Sequence, residues 1–542
     1  MSDASKEDKS WGNLLIEPLI RWRELADGCL KEGSLPELLT ALAADSVQDF
    51  PALRPHQRHP WFAFLVQLAL IALQRAGKAE PWTHPAEWQQ ALRALTPDRS
   101  GQPADDAWCL VAPVEMPAFL QPPVPEGSVS AWKILSAADE LDMLVTSKNH
   151  DVKGARARRA QADDWIFALL SLQTQEGFLG KGNYGISRMN GGFASRPGVG
   201  IAAVGRWGRR WADDVARLLH ERHEIARKMQ LSLEGGYALL WLLPWKGTDS
   251  LAFNRLDPFY IEVCRRVRLQ LTEHGELFAK VVGTEVPRVE AKDRNGVTGD
   301  PWTPVETVKA KALTLSAGGF DYQLMCELIG GGKYTQGSAW RLDGWPQGEH
   351  LQVIAQTIVR GQGKTEGYHE RCVPVSPKVR SLLRAKTGLN FSDIAQSRIK
   401  AIADVRGLLW GCLVVLFSNG EIAASPEVKE RASRFSNPFE KAEDQRFFDD
   451  LALECEVPAE QRAQQRLQWQ IDLVGRAEGV LQDAFRAGPR SGSRRYKAQS
   501  AALSMFHGRL RGKKSPLPDL ANYYAQKGAS EQNHAGDWQH VD

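Results

Sequence analysis

The strongest constraint on the fold lies in the last third of the chain, where the stretch Pro458 to Ala487 has helical periodicity. Its apolar residues recur at steps of three and four, and they are Leu467, Ile471, Val474, Ala477, Leu481 and Phe485. This spacing places the six side chains on one face of an α-helix. Gly488 and Pro489 follow, as is typical of a helix end. A long helix with a single apolar face must pack against other elements.

The neighbouring sequence supplies partners for that helix. Composition changes near Gly388, after which strand signals become rare. Three further stretches carry helical spacing, namely Phe391–Phe417, Pro438–Leu453 and Arg494–Leu510. Four amphipathic helices with short connections predict a four-helix bundle over residues 388–525. The polar sequence of residues 526–542 predicts a flexible tail.

The preceding sequence mixes helical and strand patterns. A chain of 542 residues exceeds what one hydrophobic core supports, so we predict a large mixed α/β domain over residues 1–387 and an α+β fold overall. The predicted elements are a strand over Asn13–Ile20, helices over Ser34–Ala44, from Pro60 to a stop at Gly77, and over Trp207–Leu218, and an irregular mixed sheet between Tyr237 and Gly332.

Composition excludes several functional classes. The formal net charge is only +3, so any basic function must be local. The longest apolar run, Trp61 to Leu73, is too short to cross a bilayer. The polar start MSDASKEDKS lacks the apolar core of a secretory signal, which predicts a cytoplasmic protein without membrane partners. Seven cysteines without a CxxC pair argue against a disulfide framework or a zinc knuckle, and we predict no metal or cofactor.

Two stretches are suited to binding nucleic acid. Between Leu144 and Gly200 a basic loop, opposed only by Asp151, precedes a helix and a glycine-rich polar run. Clustered cations attract phosphates, and glycines let the backbone approach a ligand closely. A second basic tract, Arg486 to Lys514, holds nine Lys or Arg and no Asp or Glu. It could hold a DNA backbone, or it could be a solvated face of the bundle.

Several segments, taken together and in order, carry a family resemblance. They are NLLIEP near the start, SLPELL, PAFLQ at Pro117–Gln121, the GFLGKGN glycine loop and LIGGGKYTQGSA at Leu328–Ala339, followed by the helical C-terminal region. With this order the chain resembles the CasA family, the large subunit of the type I-E CRISPR surveillance complex Cascade. The resemblance covers nearly the whole chain.

The resemblance implies a function without catalytic residues. The family recognises the protospacer-adjacent motif (PAM) on double-stranded DNA, helps to open the duplex for R-loop formation, and recruits the helicase-nuclease. The implied partners are therefore target DNA, the guide CRISPR RNA, other Cascade subunits and the helicase-nuclease. In this scheme protein reads a short motif while base pairing reads the sequence.

The resemblance also implies site residues. The glycine loop that lies against the PAM in the minor groove corresponds to Gly180, Lys181, Gly182 and Asn183. The wedge, a hairpin tip that separates the first base pairs, corresponds to Gln336 flanked by Thr335 and Gly337. The basic loop that reaches toward guide RNA and a neighbouring subunit corresponds to Lys148, Asn149, His150, Lys153, Arg156, Arg158 and Arg159.

Further arginines and a lysine are predicted contacts to the DNA backbone. They are Arg188, Arg196, Arg265, Arg266, Arg490, Arg494, Arg495, Lys497, Arg509 and Arg511. Some family members carry a zinc knuckle next to a PAM-reading lysine, whereas this chain has DPFYIEVCRRVRLQ. Arg265 and Arg266 could supply that charge, but strand alternation predicts that they lie on opposite faces.

Two other functional classes stay open. His150–Asp151 is the dipeptide of metal-dependent HD hydrolases, so the chain could be a nuclease or phosphohydrolase. His220 and His223, beside Glu224 on a predicted helix, could face one ion or could simply be solvated. A stand-alone RNA-binding protein is the third class, and it predicts tight RNA binding without partner subunits.

Overall fold

The computed structural model describes residues 10–96, 105–143, 160–191, 195–361, 364–385, 390–421 and 425–536. The chain forms two compact units, each built from two stretches of sequence. Unit 1 comprises Met1–Phe320 and Gly331–Val373, and unit 2 comprises Asp321–Gly330 and Pro374–Asp542. Mixed helix and strand, followed by a helical C-terminal region, confirm the predicted fold class.

Most strands are short, β17 and β18 excepted, and they belong mainly to unit 1. In chain order they are β1 Trp11–Asn13, β2 Ile20–Glu24, β3 Leu30–Gly33, β4 Val47–Asp49, β5 Cys109–Val111, β6 Lys133–Leu135, β7 Gly198–Ala203, β8 Tyr237–Leu239, β9 Leu251–Ala252, β10 Leu256–Ile261, β11 Arg266–Leu271, β12 Leu277–Val282, β13 Val289–Glu290, β14 Val305–Glu306, β15 Lys311–Ala312, β16 Tyr334–Thr335, β17 Leu351–Gly361 and β18 Lys364–Val375.

These strands pair into separate small sheets. The three-stranded sheets have the orders β18-β17-β7, β11-β12-β6, β15-β14-β16 and β3-β2-β4. Where the sequence predicts one irregular mixed sheet, between Tyr237 and Gly332, the chain forms several small sheets. They include a parallel pair, β8 with β10, and an antiparallel pair, β11 with β12.

Among the described residues, the helices of unit 1 contribute to one hydrophobic core. They are α1 Leu35–Ala43, α2 Arg58–Arg75, α3 Pro85–Ala94, α4 Ala138–Leu141, α5 Ala162–Gln175 and α6 Trp207–Met229. Helix α2 is buried on all sides from His59 to Leu73, and it packs against α5, α6 and β10. The predicted helix with Pro60 in its first turn is thus confirmed, and it lies at the centre of the unit. The predicted helices that correspond to α1 and α6 are also confirmed.

The predicted strand over Asn13–Ile20 is wrong. Strand β1 ends at Asn13. The side-chain carbonyl of Asn13 accepts a hydrogen bond from the Leu15 backbone N–H at 2.9 Å. The Asn13 backbone carbonyl accepts further bonds from Ile16 and Glu17, so the chain turns here. Leu14 and Leu15 are buried, but in a turn that faces the core rather than in a strand.

Unit 2 is helical and contains the predicted bundle. Its helices are α7 Tyr322–Gly330, α8 Pro377–Arg384, α9 Phe391–Phe417, α10 Pro426–Glu456, α11 Arg462–Ala484, α12 Gly492–Arg511 and α13 Pro518–Gly536. Helix α9 packs against α10, α11 and α12, which confirms a bundle of four long helices. On α11 the centre of the predicted stripe, Val474, Ala477 and Leu481, is buried, whereas Leu467, Ile471 and Phe485 are half-buried.

Three predicted boundaries in this region are corrected. Helix α10 begins at Pro426, after the cap Ser425, and continues through Pro438, the predicted start. The domain boundary predicted at residue 387 lies within unit 2, because α8 packs against α9 and α10. The tail predicted from residue 526 is helical to Gly536, in keeping with the good helix formers Ala525, Gln526 and Lys527.

Buried ion pairs join the long helices of unit 2. Glu454 on α10 is fully buried and accepts hydrogen bonds from Arg398 on α9 and Arg466 on α11, at 2.8 and 2.9 Å. Glu443 on α10 accepts two bonds from Arg476 on α11, at 2.6 and 2.8 Å. These pairs fix three helices in one register, since a buried charge must meet its partner.

Candidate nucleic-acid interface

The glycine loop, defined here as residues 177–185, is a short excursion whose two ends lie together. The Ile186 backbone N–H donates to the Glu176 carbonyl at 3.0 Å just outside the loop. A Cβ built on Gly185 would lie 2.5 Å from the carbonyl carbon of Gly177, so the two legs touch backbone to backbone. Only glycine allows this approach.

The tip of the glycine loop points side chains into solvent. Its turn is closed by hydrogen bonds of 2.9 Å from Leu179 N–H to the Asn183 carbonyl and from Asn183 N–H to the Gly180 carbonyl. Gly180 and Gly182 have φ of +118° and +87°, values that favour glycine. Lys181 and Asn183 are exposed, and Leu179 is 39% exposed. The four residues that we predicted thus form one accessible tip.

A turn that carries a second exposed lysine is linked to this tip through residues 284 and 285, and sequence reasoning missed it. The Thr284 N–H donates to the Gly182 carbonyl at 3.0 Å, and the adjacent Glu285 N–H donates to the Gly247 carbonyl at 2.7 Å. Lys246, next to Gly247, is exposed. Its only sequence signal is the PWKG turn, which is too common to single out.

Arg188 and Arg196 are buried, so the prediction that they contact the DNA backbone is wrong. Their exposed fractions are 1% and 2%. Arg196 forms an ion pair with Asp300, and Arg188 donates to the Tyr260 carbonyl at 2.7 Å and lies 4.0 Å above the Tyr260 ring. Burial alone would raise the pKa of Asp300, but Arg196 and Arg188 outweigh it and lower that pKa. Both arginines fasten the polypeptide after the glycine loop to the core.

Arg265 and Arg266 are also engaged within the protein, which contradicts their predicted role. Arg265 donates to the Gly177 carbonyl at 3.0 Å and to the Cys264 carbonyl at 3.2 Å. Arg266 makes hydrogen bonds of 2.8 and 2.9 Å to Glu126. Both are buried despite adjacent positions, because Arg265 lies just before β11 and not within its alternation. Arg265 therefore supports the glycine loop from within.

The predicted wedge does not occupy a hairpin tip. Thr335 is in β16 and pairs with Val305 of β14, and Gln336 follows it. A Cβ on Gly337 would lie 2.2 Å from the Pro301 carbonyl, and the Ala339 N–H donates to that carbonyl at 2.9 Å. The segment is thus packed against the backbone of the protein.

Another glutamine, Gln362, lies in the sequence between two strands. Strands β17 and β18 are hydrogen-bonded neighbours, and only Gln362 and Gly363 separate them along the chain. Gln362 and Gly363 themselves lie outside the described residues.

The basic tract of unit 2 is exposed. The predicted contacts Arg490, Arg494, Arg495 and Lys497 lie at or before the start of α12, and Arg509 and Arg511 lie at its end, all open to solvent. Cations at a helix C-terminus are favoured by the helix dipole, whereas cations in the first turns are opposed by it. The helix dipole therefore does not explain the cluster at the start of α12.

The basic loop lies outside the described residues. The predictions for Lys148, Asn149, His150, Lys153, Arg156, Arg158 and Arg159, and for the His150–Asp151 dipeptide, all fall there. Among the residues that the structure describes, no group of three or more His, Cys, Asp and Glu is arranged to hold a metal ion. His220 and His223 are exposed on α6, and Glu224 is paired with Arg227 and Lys228. No helix in the described ranges is long and apolar enough to cross a membrane.

The order of these elements is similar to that in a class of CRISPR-associated proteins. A structure of that class from Thermus thermophilus aligns with 92% of this chain and 98% of its own, with a TM-score of 0.57 and 15% identity.

Among structures of that class, those named CasA or Cse1 are similar to this chain. Thermus thermophilus CasA (Cse1) aligns at TM-score 0.57 and 15% identity over 92% of this chain and 99% of its own. Acidimicrobium ferrooxidans Cse1 aligns with a TM-score of 0.59 and 14% identity over 92% of this chain and 98% of its own. Thermobifida fusca Cse1 aligns with a TM-score of 0.58 and 14% identity over 94% of this chain and 98% of its own. No protein-family model and no curated protein sequence matches the chain. The predicted resemblance is confirmed as a CasA fold.

Proposed function

We propose that the chain is the non-catalytic large subunit of a type I-E CRISPR Cascade complex in the cytoplasm. In that complex it recognises the PAM on double-stranded DNA, promotes duplex opening and R-loop formation, and recruits the helicase-nuclease. Its other partners are the guide RNA and the remaining Cascade subunits. The CasA fold supports this proposal, and the exposed glycine loop is the single observation that carries it.

The glycine loop suits a tolerant reader of the minor groove. That groove is narrow and shows a degenerate pattern of acceptors, so a thin backbone with a few donors can probe its shape and polarity. Gly180 and Gly182 supply the thin backbone, and Lys181 and Asn183 supply donors. Lys246 precedes Gly247, which is linked to Gly182 through Thr284 and Glu285, and we include it in the proposed reading surface. The N-terminal cations of α12 then act as sequence-independent phosphate contacts.

The experiment compares PAM discrimination in reconstituted complexes. Each complex binds guide-matched duplexes that carry a randomised flanking motif, and enrichment is read by sequencing. Lys181→Ala, Asn183→Ala and Lys246→Ala should each lower binding to preferred motifs about tenfold, because a groove contact contributes roughly 1–3 kcal/mol. Binding to disfavoured motifs should fall much less. Equal losses on all motifs would reassign these residues to phosphate contacts.

A matched control removes an exposed lysine elsewhere in unit 1. Lys78 follows α2 and is exposed, and Lys78→Ala should leave the enrichment profile unchanged. If Lys78→Ala changed the profile as Lys181→Ala does, the effect would belong to net charge rather than to the loop.

The wedge is tested separately, since two glutamines are candidates. Gln336→Ala and Gln362→Ala are compared for duplex binding and for strand opening, followed by the reactivity of unpaired thymines. The wedge variant should slow opening while initial duplex binding stays unchanged. Slow opening in Gln336→Ala alone would retain the original assignment. Slow opening in Gln362→Ala alone would move the wedge to the sequence between β17 and β18.

A further inference from the structure

The segment that carries the glycine loop is attached to one strand at both of its ends, Glu176 and Ser195. Glu176, which precedes the glycine loop, and Ser195, which lies ten residues after its end, form an antiparallel bridge. The Ser195 hydroxyl donates to the Ile358 carbonyl and accepts from the Ile358 N–H, each at 2.8 Å. Ile358 belongs to β17, so one end of the excursion is held by the backbone of that strand.

The other end is held by a buried ion pair. Arg360 Nη1 lies 2.5 Å from Glu176 Oε1, and both side chains are 2% exposed. Glu176 directly precedes Gly177, the first residue of the glycine loop, and Arg360 is one residue before the end of β17. The pair therefore joins the root of the glycine loop to the far end of a long strand.

Further hydrogen bonds hold the backbone next to the Glu176–Arg360 ion pair. Arg265 donates to the Gly177 carbonyl from a separate part of the core, and the Glu176 carbonyl accepts from Ile186. Burial raises the pKa of the Glu176 carboxyl, and Arg360 and Arg265 counteract that rise. A buried ion pair loses hydration on both partners, so apolar residues of equal volume would often serve stability as well. What the pair adds is a fixed geometry, since the guanidinium must meet one carboxylate.

We propose that Arg360 and Glu176 are positioning residues that hold the glycine loop in the geometry required for motif reading. They touch no DNA themselves. They set the height and direction of the loop tip relative to β17, and loss of the pair lets the tip move without unfolding the unit. This inference rests on the proposed function, because motif reading is the activity that the geometry serves.

The test separates positioning from stability with single and double variants. Arg360→Met and Glu176→Gln each leave one buried charge without its partner, so each should lower thermal stability. The double variant Glu176→Gln/Arg360→Met removes both charges and should recover most of that stability. Discrimination between preferred and disfavoured motifs, measured in the reconstituted complex, should stay about threefold to tenfold below that of the unchanged protein in all three variants.

A matched control comes from another buried pair of unit 1. Arg222 and Asp257 are joined at 2.7 Å with side chains 3% and 1% exposed. Asp257→Asn should cost similar stability and leave motif discrimination unchanged. If the double variant regained full discrimination together with stability, or if Asp257→Asn lost discrimination equally, the positioning role would be overturned.

Hydrogen exchange on the full chain gives a readout that does not depend on DNA. In the double variant, amides of residues 177–191 should exchange faster, whereas amides of α2 should not change. Unchanged exchange at 177–191 would overturn the inference. If the unchanged complex showed no motif discrimination, the proposed function would fail, and this exchange experiment alone would decide the positioning role.

Discussion

Gly185→Ala is the most direct test of the closed legs of the glycine loop. The added Cβ would lie 2.5 Å from the Gly177 carbonyl carbon and 2.7 Å from both the Gly177 Cα and the Phe178 nitrogen. All three neighbours are backbone atoms, so no side-chain rotation can make room. The two legs must separate, and the 3.0 Å hydrogen bond from Ile186 to Glu176 must stretch.

The expected cost follows from two opposing effects. Overpacking a tight contact destabilises by about 1–3 kcal/mol. Alanine also restricts the unfolded chain relative to glycine, which returns about 0.4–1 kcal/mol. We therefore expect Gly185→Ala to lower the free energy of unfolding of unit 1 by about 1–2 kcal/mol.

Urea unfolding followed by tryptophan fluorescence measures this change, because most tryptophans lie in unit 1. Far-UV circular dichroism follows both units together, since two units need not unfold in one transition. Gly475→Ala is the control, because this glycine lies within α11 with open space around it and alanine should stabilise unit 2 by about 0.5–1 kcal/mol. A Gly185→Ala midpoint for unit 1 that is unchanged or higher would show that the legs are not in contact.

Two further predictions concern buried charge. Burial, aided by Arg196, lowers the pKa of His59 well below its usual 6.5, so only the unfolded chain takes up a proton near that pH. Stability should then be lost as the pH falls below 6.5, by up to about 1.4 kcal/mol per pH unit, and His59→Phe should flatten this slope in urea titrations. Equal slopes in both proteins would refute the assignment to His59. In unit 2, Glu454→Gln leaves Arg398 and Arg466 without their carboxylate and should cost about 3–5 kcal/mol in thermal unfolding. The double variant Glu454→Gln/Arg398→Met should recover a large part of the stability lost in Glu454→Gln. No recovery would mean that packing rather than charge dominates at this site.

Periodicity predicted the long helices well because their signals are local. Helix α9 begins at Phe391 and ends at Phe417 as predicted, and the Asn390 side chain caps it by accepting from the Asp393 N–H. The start of α10 was missed because Pro438 reads as a first-turn proline, although it lies inside a longer helix. The turn after Asn13 was missed because buried leucines in a turn have the same composition as a strand.

For the candidate site, too, local features could be predicted from the sequence and long-range contacts could not. The close approach of the backbone in the glycine loop could be predicted from its glycines, since positive φ values and close backbone contacts require glycine at fixed positions, whereas its role at the PAM was implied only by the resemblance. Arg188 and Arg196 could not be assigned correctly, because their partner Asp300 is more than a hundred residues away in the chain. An arginine can be identified in the sequence, whereas the carboxylate that forms an ion pair with it is brought close only by folding. Lys246 was missed for the converse reason, as only the fold links its turn to the loop.

Helix α7 gives unit 2 an unusual order of assembly. Tyr322 stacks on Phe447 with ring centroids 4.8 Å apart, and its N–H donates to Asp444, 122 residues later in the chain. At ribosomal speeds of about 5–20 residues per second, those 122 residues take roughly 6–24 s to synthesise. During that interval α7 has emerged while its partner helix has not. A C-terminal fragment beginning after residue 373 would lack α7 altogether and expose Phe447, so unit 2 should be expressed only with residues 321–330 supplied.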